Sequence, residues 1–121
     1  MSNKFHRYEA WKESHKLNLA IYQSTHLFPD IERFGLISQI RRSATSVCAN
    51  IAEGCERRTT KDFVSFIYIS KASLSETRYH LLLAKDLGYL PVEKHEELDK
   101  QAYKVAALLY GLIVALEKRA K

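Results

Sequence analysis

The sequence predicts an all-α protein, an antiparallel up-down-up-down four-helix bundle formed by one domain over residues 1–121. Three observations carry that expectation. Apolar residues recur every three to four positions through four long segments, the period of an amphipathic helix. Pro29, Gly54, Gly88 and Pro91 punctuate those segments and leave connections of only a few residues, which set consecutive helices side by side in opposite directions. No segment alternates apolar and polar residues as a half-buried strand does.

The first helix is expected over about residues 8–28, because Pro29 disfavours helical geometry in the residue before it. The second covers about 34–53, with Gly54 as its C-terminal cap. The third covers about 60–87; Thr59 and Asp62 resemble a capping box with Asp in place of Glu, and Gly88 terminates it. Pro91 opens the fourth, about 92–118, whose Leu98, Ala102, Val105, Leu109, Leu112 and Leu116 form a coiled-coil-like seam. Gly111 within it costs about 1 kcal/mol relative to Ala, which marks either a close helix contact or a tolerated exception. Disorder is expected only at Met1–Arg7 and the last few residues.

With 121 residues, two Pro and four Gly, the chain buries a single core without help from metals or disulfides. Its apolar runs, such as Ala106-Ala107-Leu108-Leu109-Tyr110, fall far short of the ~20 residues of a membrane span. The stretch from Met1 to Arg7 lacks the apolar core and cleavage site of an export signal. A cytoplasmic location without a membrane partner follows as the expectation. Cys48 and Cys55 stand roughly 10 Å apart along one helix, too far to bridge. They read as small buried apolar residues. His6, His15, His26, His80 and His95 add no ligand-spaced cluster, so neither metal nor other cofactor is expected.

Placed at 100° per residue, the second helix buries Leu36, Ile37, Ile40, Ala44, Val47, Cys48, Ile51 and Cys55. Its opposite face carries Gln39, Arg42, Ser46, Asn50, Glu53 and Arg57, mostly short or amide side chains that suit close approach by a partner. On the third helix, Phe63, Phe66, Ile67, Ser70, Leu74, Thr77 and Leu81 form one stripe, and Ile69, Ala72, Glu76, Tyr79 and Leu83 a second. The first helix is also broadly apolar, from Ala10, Leu17, Ile21 and Phe28 through Trp11 and Tyr22 to Leu19. Apolar surface beyond what one core needs marks an interaction site. A homo-oligomer is therefore expected, with Gln39, Arg42, Ser46, Asn50, Glu53, Ile69, Ala72, Glu76 and Tyr79 at its interface. Glu76 needs a partner in such a stripe, and Arg41 or Arg42 is the expected one.

Residues 33–61 hold six Lys/Arg against two Asp/Glu, four of the chain's five net positive charges. Positive charge concentrated in this way favours polyanions. Arg41, Arg42, Arg57, Arg58 and Lys61 are the candidate phosphate contacts, and Lys118, Arg119 and Lys121 form a second basic cluster at the tail. Trp11, Phe63 and Phe66 lie on apolar stripes and read as core, not as a base-stacking platform. Chemistry finds less support. Ser43, Ser46, Ser70 and Ser73 sit on helices outside any nucleophile elbow, Glu93-Lys94-His95-Glu96-Glu97 lacks the zinc-protease spacing, and Gly54 stands alone, without a phosphate-cradling loop. No catalytic residue, enzyme activity or small-molecule substrate is expected.

Phe28-Pro29, Glu32-Arg33-Phe34-Gly35-Leu36, Gln39-Ile40-Arg41-Arg42-Ser43-Ala44, Asn50-Ile51-Ala52-Glu53-Gly54 and Asp62-Phe63-Val64-Ser65-Phe66 occur in this order. The series resembles the four-helix-bundle family of proteins encoded in intervening sequences of bacterial 23S ribosomal RNA genes. That family is similar to the accessory protein of diversity-generating retroelements. The resemblance implies a bacterial cytoplasmic bundle assembled as a pentamer. It also implies, by analogy with the accessory protein, association with nucleic acid through a basic surface. The family segment Arg-Gly-Ser before a Glu matches Lys71-Ala72-Ser73 and Glu76, with Ala72 in place of Gly and Lys71 in place of Arg. Two readings follow: an oligomeric adaptor for structured RNA or an RNA–protein complex, and a purely structural or protein-adaptor homo-oligomer that binds no nucleic acid.

Overall fold

The computed structural model describes residues 4–120, all helix and connecting turn. A 3₁₀ turn at Lys4–Arg7 precedes α1 (Glu9–Thr25); α2 (Leu36–Gly54), α3 (Thr60–Asp86) and α4 (Val92–Ala120) follow. Each helix packs on its neighbours in sequence, and α1 also packs on α4, which closes a ring of four around one apolar core. This is a four-helix bundle. No strand occurs among the described residues.

Several boundaries differ from the expected ones for local reasons. Lys4–Arg7 is ordered as a turn because Phe5 packs on Trp11, ring centroids 4.7 Å apart; Met1 to Asn3 and Lys121 lie outside the described residues. At the other end α4 stays helical to Ala120. Helix α1 stops at Thr25, three residues short of Phe28. A second 3₁₀ turn, Asp30–Glu32, then delays α2 until Leu36. Glu32 organises that connection: its carboxylate accepts from the Leu36 N–H at 3.1 Å and from the Tyr89 hydroxyl at 3.0 Å. One acidic side chain thus satisfies an orphan donor of α2 and ties two turns together.

The cap of α3 is as expected in its first half: Thr59 is extended and its hydroxyl accepts from the Asp62 N–H at 3.1 Å. Thr59→Ala should therefore cost about 1 kcal/mol of stability, read as a lower urea midpoint. Gly88 ends the helix at φ +82°, with Tyr89 N–H on Ala84 C=O and Gly88 N–H on Lys85 C=O, both 2.9 Å. That pair of bonds is a Schellman motif, which needs a left-handed residue. Gly54, in contrast, is no left-handed cap. It is the last residue of α2, and a Cβ there would lie 2.7 Å from Phe66 Cβ and 2.9 Å from Phe63 Cδ1. The close helix approach is here, not at Gly111, around which a Cβ would meet nothing within 4 Å.

The α4 seam is corrected in one position. Leu98, Ala102, Val105, Leu109, Ile113 and Leu116 are buried, while Leu112 is only half-buried. These residues advance by an average of 3.6, the pitch of a straight helix, so a strict heptad places Leu112 one step off the core.

Between α2 and α3 the contact is small and hydroxylated. Ser70 Oγ donates to Val47 C=O at 2.7 Å, Thr77 Oγ1 donates to Ser43 Oγ at 2.8 Å, and Ser46 and Ser73 share a hydroxyl contact at 2.8 Å. Ser43, Ser70 and Thr77 are fully buried, and each meets the need of a buried polar group for a partner. On the opposite side α3 meets α4 through a fork: Arg78 Nε and Nη2 reach the two Asp99 oxygens at 2.9 and 3.4 Å, with the guanidinium 4.9 Å from the Tyr103 ring centroid.

Glu13 is the buried charge of the bundle. It lies among Ala10, Ser14 and Leu17 on the inner face of α1, 5 % exposed. Gln101 Nε2 donates to its side chain at 3.0 Å and to its backbone carbonyl at 2.9 Å, and Lys104 and Lys16 stand at 3.2 and 3.3 Å. The Gln101 amide, helped by the two lysines, outweighs burial and holds the carboxyl down at about 2, from an ordinary 4.5. A depressed carboxyl contributes stability that is complete above its unfolded value and is lost as pH falls through the folded one. Wild-type stability should therefore drop between pH 4.5 and about 2. Glu13→Gln should flatten that drop, which urea melts at pH 7 and pH 3 would show.

Candidate nucleic-acid interface

The turn from α2 to α3 continues helically, with Cys55 N–H on Ile51 C=O and Arg57 N–H on Gly54 C=O, both 3.1 Å. That path projects Arg57 and Arg58 from the end of the bundle, and Lys61 stands exposed in the first turn of α3. The Arg57 guanidinium carbon stands over the Phe66 ring, 4.4 Å from its centroid, with Glu53 at 4.0 Å. The cation–π contact and the carboxylate together restrict the side chain.

Arg119, near the end of α4, comes to the same place. Arg57, Arg58, Thr59, Thr60, Arg119 and Tyr8 line one cavity of about 180 Å³. Arg119 of the tail thus joins the arginines of the α2–α3 turn at one surface. Burial chiefly pushes the Cys55 thiol up and Glu56 increases the shift, while Lys4 and Arg7 oppose it. The Cys48 thiol is pushed up by burial too. Both cysteines are buried and free, and their sulfurs turn to the helix carbonyls of Ala52 and Ala44.

Arg41 and Arg42 lie elsewhere. They precede Arg57 by fifteen residues or more, roughly 23 Å along the α2 axis. Arg41 Nε donates to Thr25 Oγ1 at 2.9 Å and Nη2 to Tyr22 C=O at 3.2 Å, with the guanidinium 4.6 Å from the Tyr22 ring centroid. It caps the end of α1. Arg42 is exposed. The five candidate phosphate contacts therefore divide into Arg57, Arg58 and Lys61 at one end and Arg41 and Arg42 toward the other.

Of the candidate interface residues, Gln39, Arg42, Glu53, Ile69, Ala72, Glu76 and Tyr79 are exposed. Ser46 and Asn50 are half-buried and bonded within the chain, Asn50 Nδ2 donating to Ser46 C=O at 2.8 Å and to its Oγ at 3.0 Å. Glu76 pairs with His80 on its own helix at 3.1 Å. The expected Glu76 bond to Arg41 or Arg42 is not among the ion pairs of the described residues: α1 holds the Arg41 guanidinium, and Arg42 is exposed. The largest exposed apolar groups lie outside the expected stripes, in the turn before α2: Leu27, Ile31 and Phe34 are 84 %, 86 % and 89 % exposed. Their signal was the apolar content of a segment bounded by Pro29 and Gly35, which helix assignment to Phe28 and Phe34 concealed.

The family profile described as 23S rRNA-intervening sequence protein matches residues 6–111. The chain belongs to that family. Its fold is similar to the crystal structure of a protein of unknown function from the S23 ribosomal protein family of Bacteroides thetaiotaomicron, with a TM-score of 0.79 and 27 % identity, over 86 % of this chain and 97 % of that one. No curated protein matches the chain. The intervening-sequence match includes Arg57, Arg58 and Lys61 and ends before Arg119. At the family's small-residue segment on α3, Ala72 is exposed, Lys71 stands 6.0 Å from the Tyr68 ring centroid, and Ser73 faces inward to Ser46.

Proposed function

We propose that this intervening-sequence protein is a non-enzymatic, oligomeric adaptor that binds structured RNA or an RNA–protein complex through the end of the bundle formed by Arg57, Arg58, Lys61 and Arg119. The observation that carries the reading is the convergence of loop and tail arginines on one cavity. Guanidiniums suit phosphates through their forked donors, and Arg57 is positioned by the Phe66 ring beneath it. The antiparallel order of helices belongs to the same reading, supported by the pairs Ser43–Thr77, Ser46–Ser73 and Val47–Ser70, whose numbers fall on α2 as they rise on α3. Self-association in the cytoplasm is supported by Leu27, Ile31 and Phe34 at the far end, which leaves the basic end open; the pentameric form comes from family resemblance alone.

The rival reading, a structural assembly without nucleic acid, draws on Arg41. Its guanidinium holds the end of α1 through Nε and Nη2, as arginines in a scaffold do. Fluorescence anisotropy of labelled structured RNA and a length-matched DNA duplex, at several salt concentrations, separates the two. RNA binding at physiological salt that weakens steeply as salt rises supports the adaptor. Absence of binding to either polymer supports the scaffold.

A further inference from the structure

We propose that the cavity at the basic end is a binding site for a single phosphate group. It deepens the reading of this end as the polyanion-facing surface, and its RNA form rests on that reading. Three arginines, two from the α2–α3 turn and one from α4, line one concavity, and no carboxylate lines it. The nearby acids Glu53, Glu56 and Asp62 lie outside the lining, and Glu53 stands against Arg57. Neither Arg58 nor Arg119 makes an ion pair with a described residue. Like charges gathered without counter-charge repel, so their juxtaposition favours an anion between them.

The remaining lining is Tyr8, Cys55, Thr59, Thr60 and Phe63, three of which carry hydroxyls. Thr60 and Tyr8 line the cavity, and the Thr59 hydroxyl, which accepts from Asp62 N–H, keeps its own proton to donate. Guanidinium and hydroxyl donors around one space match the several acceptor oxygens of a phosphate. Volume sets the size of the ligand. A cavity of about 180 Å³ holds roughly six waters at ~30 Å³ each. That is ample for a phosphate group and part of its hydration, and below the ~300 Å³ at which sites begin to enclose drug-sized molecules. The base and sugar of a nucleotide would therefore remain outside. Because Arg119 lies beyond the family match, the third guanidinium belongs to this chain's own tail.

The test is an amide NMR titration of the full chain with inorganic phosphate, ionic strength held constant with chloride. Saturable shifts are expected at Arg58, Thr59, Thr60 and Arg119. Arg58→Gln and Arg119→Gln should each weaken the dissociation constant about tenfold, with the rest of the spectrum unchanged, while Lys71→Gln on the exposed flank of α3 leaves it unaltered. Shifts that do not saturate, or that persist with equal affinity in both arginine variants, overturn the proposal. A competition arm identifies the source of the phosphate. Displacement of labelled RNA by phosphate at constant ionic strength makes the RNA backbone the occupant. Saturable phosphate binding without any RNA binding retains the pocket for free phosphate and removes the RNA reading. RNA binding with no saturable phosphate binding removes the pocket and retains the RNA reading.

Discussion

Gly54→Ala is expected to destabilise the protein by about 2 kcal/mol, although alanine is the better helix former. Within a helix the exchange normally stabilises by about 1 kcal/mol. Here the new Cβ would sit 2.7 Å from Phe66 Cβ and 2.9 Å from the Phe63 ring. Phe66 Cβ moves only with its backbone, so relief requires α2 and α3 to separate, and overpacking of this kind costs about 1–3 kcal/mol. At the upper end of that range the net effect is about 2 kcal/mol. Gly111→Ala is the matched control: the position is exposed, nothing lies within 4 Å, and stability should rise by about 1 kcal/mol. Urea melts of the two variants should move in opposite directions. A Gly54→Ala midpoint at or above wild type would show that the helices are not in close contact there.

Reversing Arg57 and Arg58 together to glutamate should weaken binding of structured RNA by at least about tenfold at physiological salt. Every arginine that no longer neutralises a phosphate lowers the slope of log affinity against log salt by about one unit or slightly less. For the pair, the slope should therefore shrink by about 1.5. Both side chains are exposed, so assembly mass should not change, which sedimentation of the variant checks, and loss of the Arg57 contacts with Phe66 and Glu53 should cost only about 1 kcal/mol of stability. Arg41→Gln provides the contrast. Its guanidinium holds Thr25 and Tyr22, so the effect should appear in thermal stability before it appears in RNA affinity. An unchanged RNA affinity in the Arg57/Arg58 variant would favour the scaffold reading.

The four helices were legible because each carries a long apolar period, and α3 and α4 begin within one residue of where Thr59 and Pro91 place them. The turn from His26 to Gly35 was less legible. Its order comes from Glu32, whose carboxylate acts on Leu36 and on the remote Tyr89, a contact without local pattern. Period reading also treats every glycine alike, so it could not tell Gly54, pressed on two phenylalanines, from Gly111 in open space. Glu13 did leave a trace, a carboxylate between Ala10 and Leu17 on an apolar stripe, but its partners Gln101 and Lys104 are on another helix. Joining of the loop arginines with Arg119 likewise depends on how the ends of α2 and α4 meet. Composition located the charge; only packing could add the tail to it.

The hydroxyl contacts between α2 and α3 also bear on motion. Sliding one helix past the other by a residue would leave Ser70 buried without the Val47 carbonyl, at a cost of about 1–3 kcal/mol, and would break the Ser43–Thr77 contact, although both of those hydroxyls keep bonds to carbonyls of their own helices. These contacts hold α2 against α3, and the five residues from 55 to 59 are the short connection between them. Arg57 and Arg58 are thus mounted on a stiff bracket and not on a tether. A ligand that meets them finds their backbone already ordered, so less of the interaction is spent on freezing a loop.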